Sequence, residues 1–125
     1  MTDPRESAAS TETTGRIEIA PEVLITIVRK VVLDIKGVRE MASIPAHASN
    51  LFRRSPRHDG IVLHYKNKRL TFDIYLNMDP NVNLRETSRA VQVAVVEAID
   101  KMVGIPVDAV NVHVEDVVYT QGQTA

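Results

Sequence analysis

The sequence predicts an α+β fold, a two-layer sandwich in which two amphipathic helices cover one face of a small mixed sheet, in the order β-α-β-β-β-α-β. Three observations predict it. Residues 61–78 alternate apolar and polar side chains with period two, the mark of an antiparallel hairpin with one buried face. Residues 21–35 and 84–103 instead repeat apolar groups at helical spacing. Each helical segment keeps a polar face, so each buries one side only, and the economical packing places both on the same side of the sheet.

Taken in chain order, a short strand is expected at Arg16-Ile17-Glu18-Ile19. A helix follows, because Pro21 suits a first helical turn and Glu22 favours its positive end. Leu24, Ile27, Val28, Val31 and Ile35 form its inner stripe, and Gly37 supplies the stop. Its many β-branched residues make poor helix formers, so packing must hold it. Val38 to Ile44 reads as a second strand ended by Pro45, and residues 46–59 as a loop. Ile61, Leu63 and Tyr65 then alternate with Val62 and His64, and Lys66-Asn67-Lys68-Arg69 makes the turn. Leu70, Phe72, Ile74, Leu76 and Met78 share the next strand's buried face, leaving Thr71, Asp73, Tyr75 and Asn77 on the other. Asn83 followed by Glu86 has capping-box spacing and opens the second helix, Leu84 to Val103. Leu84, Val91, Ala94, Val95, Ala98, Ile99 and Met102 face inward, and Gly104 and Pro106 end it. Val110, Val112 and Val114 alternate against Asn111, His113 and Glu115 in the last strand.

Length and composition bound the function. The 125 residues suit one domain, and 44% hydrophobic content is enough for a core. Residues 1–14 are too polar to offset the entropy of ordering and read as a disordered N-terminal tail. The domain spans 15–119, and 120–125 reads as a frayed C-terminal end. No basic start with an apolar run marks a secretory signal, and no stretch spans a bilayer, so a cytoplasmic protein is expected. The chain has no Cys, which excludes disulfides and thiolate metal sites. A net charge of -1 and 4% aromatic content argue against nucleic acid as the partner.

Four groups of residues could carry chemistry or contacts. The outer sheet face gathers His64, Asp73, His113 and Glu115, all legitimate metal ligands, yet a solvated sheet face needs such residues anyway and no helical His motif accompanies them. No metal site, cofactor or catalytic residue is therefore assigned. Nucleophile elbows and phosphate-binding glycine loops are absent from the sequence, so no enzyme is expected. Arg53, Arg54 and Arg57 precede the hairpin, and Lys66, Lys68 and Arg69 occupy its turn, a local basic concentration that suits an anionic partner. Leu33, Val93 and Val96 point outward from the two helices and could merge into a patch for protein contact and self-association.

The domain opens with Gly15-Arg16-Ile17-Glu18-Ile19-Ala20-Pro21-Glu22-Val23 and closes with Val110-Asn111-Val112-His113-Val114. Between them, Gly37-Val38 with Met41 follows the first helix, and Asp73-Ile74-Tyr75-Leu76 precedes the second. This arrangement, over residues 15 to about 118, resembles the alkaline shock protein family of bacterial envelope-stress-response proteins. The resemblance implies a non-enzymatic cytoplasmic protein that self-associates and is held near the membrane by a membrane-anchored partner. It carries over no catalytic or ligand residues. The chain departs from the family pattern in its longer Arg-rich segment, residues 45–59. The alternative is a small RNA-binding α/β module that grips phosphate with the basic loop and hairpin turn.

Overall fold

The computed structural model describes residues 14–119. Helix α1 (Pro21–Leu33) starts with Pro at the first turn and Glu22 beside it. The chain reverses at Gly37 into strand β1 (Val38–Met41), then forms a short helix α2 (Ala46–Leu51) and a two-residue strand β2 (Arg57–His58). Strands β3 (Ile61–Lys66) and β4 (Arg69–Met78) make the hairpin. Its two-residue turn puts Asn67 at φ 54° and Lys68 at φ 62°, the double left-handed geometry that matches strand twist. Helix α3 (Leu84–Met102) is capped by Asn83, whose Oδ1 accepts from the Glu86 N–H at 2.9 Å. Strand β5 (Val107–Val117) completes the sheet.

Strand β4 is the centre of that sheet. Strand β5 runs parallel along one edge, from Leu70↔Val107 to Met78↔Val117. Two antiparallel strands share the other edge: β3 pairs with Arg69–Ile74 and β1 with Leu76–Met78. Tyr75 lies at their junction, where its carbonyl accepts from Ala42 N–H at 2.9 Å and its N–H donates to the Gly60 carbonyl at 2.8 Å. The sheet is therefore mixed, as the sequence predicts.

Helices α1 and α3 pack side by side over one face of the sheet. Val28 and Val32 from α1, Val91, Val95 and Ile99 from α3, and Phe72, Ile74 and Leu76 from β4 are fully buried between the layers. Each such side chain contributes about 1.5–3 kcal/mol by leaving water. That core supports the β-branched α1, whose own helix propensity is weak.

The structure differs from the sequence reading at several elements. Arg16–Ile19 forms no strand; Ile17 is 91% exposed and Arg16 pairs with Glu18 instead. Two alternating apolar residues do not make a strand without a free sheet edge beside them. Helix α1 ends at Leu33, so Ile35 packs from the turn that follows it, and the buried stripe is Leu24, Ile25, Val28 and Val32. Leu84 and Met102, expected inside, are exposed because they stand at the two ends of α3, past its last core contacts. The second strand stops at Met41 rather than Ile44.

The expected loop at 46–59 contains α2 and β2, and its course changes the outer sheet face. Ala48 and Phe52, one helical turn apart, fold back onto Val62 and Tyr75, with Ala42 and Ile44 beside them. Half of a face expected to be polar and solvated is thus a second, smaller core. The expected tail (1–14) and frayed end (120–125) lie outside the described residues apart from Thr14, which is exposed in a turn.

Candidate functional site

The outer sheet face brings together residues far apart in sequence. Odd positions of β4, even positions of β3 and, between the two register shifts of β5, Ala109, Asn111 and His113 point away from the helices. His64, Asp73 and His113 therefore meet on three adjacent strands. Asp73 is the one buried polar side chain among the described residues. One carboxylate oxygen lies 3.1 Å from His64 Nε2, the other 2.8 Å from His113 Nε2. Ser55 Oγ stands 3.2 Å from His64 Nδ1, the Phe52 ring tilts over His64 at 5.1 Å, and the His113 ring stacks on Tyr75 at 4.3 Å. A buried carboxylate needs such donors, and two imidazole N–H groups satisfy it.

Ser55, His64 and Asp73 thus stand in a row whose residue types are those of a hydrolase triad. The sequence reading missed Ser55, which carried no motif and sat in an apparent loop. The row also explains why that loop is ordered, since it ties residues 52–55 to the sheet. Glu115, the fourth candidate of this face, sits at a register shift of β5 and hydrogen-bonds with none of the three. Among the described residues, no group of three or more His, Asp or Glu is arranged to hold a metal ion. The Tyr75 hydroxyl is pushed above the usual tyrosine value of 10.0, chiefly by burial and further by the nearby carboxylates of Asp73 and Glu115.

The six basic candidates do not form one patch. Arg69 is engaged by Asp108 across the β4–β5 pair, and Arg57 donates to the Ser49 carbonyl at 3.2 Å. Arg57 sits opposite Val62, at the start of the hairpin. Arg53 and Arg54 are exposed in the turn between Phe52 and Ser55, the two residues that touch His64. Lys66 and Lys68 are exposed at the hairpin tip. Asp59, the acid of this segment, is held by Arg29 of α1 at 3.1 Å.

The apolar candidates also separate. Leu33 is half-buried and packs against the main core, because the reversal at Gly37 brings β1 back beneath the last turn of α1. It does not join a surface patch, contrary to the outward placement expected from the helical wheel. Val93 is 56% exposed and Val96 40% exposed, one turn apart at the middle of α3. Their face turns away from the stripe of Val91, Val95 and Ile99 that holds the helix to the sheet.

No described helix is long and apolar enough to cross a membrane. Residues 9–119 match the model of the alkaline shock protein family, which is described by a cell envelope-related function. The uncharacterized protein Spy1614 of Streptococcus pyogenes serotype M6 is 30% identical over 106 residues, covering 82% of this chain and 88% of that one. YloU, an uncharacterized protein of Bacillus subtilis strain 168, is 25% identical over 106 residues, with the same coverage of 82% and 88%. Among solved structures, a variant of MamM-CTD superposes with a TM-score of 0.50 at 13% identity, over 79% of this chain and 100% of that one. At that identity the likeness is one of fold.

Proposed function

Because the chain belongs to the alkaline shock protein family, whose function is cell envelope-related, we propose that it is a non-catalytic envelope-stress-response protein that self-associates and binds a membrane-anchored protein partner from the cytoplasmic side. The observation that carries this reading is the exposed pair Val93 and Val96 at the centre of α3. Two β-branched apolar residues in the middle of an otherwise charged helix face add nothing to the core. They gain free energy only when another surface covers them.

The polar outer face supports the non-catalytic part. Asp73 is shared between two histidines, and both ring nitrogens of His64 are occupied, one by Asp73 and one by Ser55. Such a closed network fixes the sheet face and the 52–55 turn. Arg53 and Arg54 in the 52–55 turn, and Lys66 and Lys68 at the hairpin tip, offer two further basic contact sites for an acidic protein segment or the anionic membrane near the partner.

The test is a pull-down of the full chain from native cells with membranes retained, identifying bound protein, lipid and RNA. The proposal expects a membrane protein whose recovery falls in a Val93→Asp, Val96→Asp variant. Recovery of RNA alone, lost in moderate salt as phosphate contacts require, overturns it in favour of an RNA-binding module.

A further inference from the structure

The exposed face of α3 carries an ordered set of charges around the two valines. At 100° per residue, Arg89, Val93, Val96 and Asp100 fall within an arc of about 60° and run along roughly 16 Å of helix. All four are exposed. The sequence of the stripe is cation, apolar, apolar, anion. Among the described residues, neither the Arg89 guanidinium nor the Asp100 carboxylate has an ion-pair partner, although charges on α1 do: Lys30 pairs with Asp34 and Arg29 with Asp59.

From this pattern we propose that α3 is the seam of a two-fold dimer, in which it packs antiparallel on α3 of a second copy of this chain. The proposal rests on the self-association reading above and names the surface responsible. An antiparallel match centred between Val93 and Val96 lays each Val93 on the other copy's Val96. It also lays each Arg89 on the other copy's Asp100, twice by symmetry.

The parallel alternative sets Arg89 on Arg89 and Asp100 on Asp100, which like-charge repulsion disfavours. Orientation is therefore written in the order of four residues. The identity of the occupant follows from the same order, because the stripe is complementary to its own reverse. Gln92 does not interfere, since its side chain turns to the sheet and donates to the Val110 carbonyl at 2.9 Å.

The two valines expose less apolar area than a stable dimer buries, roughly 800 Å² per partner. The pairing is thus reversible and concentration-dependent, and its charged ends weaken with salt.

Sedimentation velocity of the full chain, from micromolar to sub-millimolar concentration, tests the seam through a charge swap. Arg89→Asp alone and Asp100→Arg alone each replace two attractive pairs with two repulsive ones, and each is expected to weaken the dimer about tenfold or more. The double variant Arg89→Asp, Asp100→Arg restores the pairs with reversed polarity and is expected to dimerise nearly as well as wild type. Both substitutions are at exposed sites, and unchanged melting curves for all three variants confirm the fold.

If wild type associates but the single variants associate equally well, the α3 seam is wrong and self-association lies elsewhere. If the double variant is as weak as the singles, the reciprocal pairing is wrong. A wild type that stays monomeric at every concentration overturns the seam together with the self-association reading beneath it.

Discussion

Replacing Gly60 with Ala separates backbone strain from backbone crowding at the most constrained point of the sheet. Gly60 has φ +76°, and an L-residue there costs roughly 1–2 kcal/mol. Its added Cβ also stands 2.8 Å from the Tyr75 carbonyl oxygen and closer still to that of Ala42. Both obstacles are main chain at the junction where β1 and β3 share the edge of β4. Relief requires parting them, with loss of the Ala42 to Tyr75 or Tyr75 to Gly60 hydrogen bond, each worth about 1 kcal/mol net. The expected loss is about 2–4 kcal/mol in all. Gly104 is the internal control: its φ is +77°, but an added Cβ meets nothing within 4 Å. Gly104→Ala should therefore cost only about 1–2 kcal/mol. Urea denaturation reads both, as shifts in midpoint at constant m-value. Equal losses for the two variants would refute the crowding argument and with it the shared-edge geometry at Tyr75.

Other predictions follow from the outer sheet face. Asp73→Ala leaves the His64 and His113 donors without their acceptor; since both rings are part-exposed and reach water, the expected loss is about 1–3 kcal/mol, read as a lower melting temperature. Tyr75 has its folded-state value raised, so its contribution is complete below pH about 10 and disappears as pH climbs through that raised value. The melting temperature of Tyr75→Phe should accordingly fall less steeply in strong alkali than that of wild type; parallel curves would contradict the assignment. Ser55 supplies a direct check on catalysis: wild type and Ser55→Ala should hydrolyse an activated ester at the same background rate, and a Ser55-dependent rate would show a working triad.

The hairpin was legible in the sequence because nine residues of β4 alternate without a break, and only one strand face can then be buried. The helix α3 was legible from its Asn83 and Glu86 cap and its Gly104 stop, each a local chemical signal. Strand parity alone also placed His64, Asp73 and His113 on one face. Sequence could not show that the two imidazoles grip opposite oxygens of one carboxylate, because that depends on register across three strands. Helix α2 escaped notice because six residues are too few to display a period, and its inward pair is only Ala48 and Phe52. A signal existed in Pro45, whose carbonyl accepts from the Ala48 and Ser49 N–H groups. Leu33 was misplaced because the wheel assumes a helix standing alone, whereas the chain folds back at Gly37 over its final turn. The order of charges around Val93 and Val96 was fully readable, and gains meaning because, among the described residues, Arg89 and Asp100 have no ion-pair partner.

The claim that the exposed centre of α3 is a protein-contact surface meets its most direct test in the sedimentation of the full chain beside a Val93→Asp, Val96→Asp variant. The account predicts a sedimentation coefficient that rises with concentration for wild type and stays at the monomer value for the variant, with both melting at similar temperatures. A wild type that remains monomeric throughout, or a variant that associates as wild type does, would contradict it.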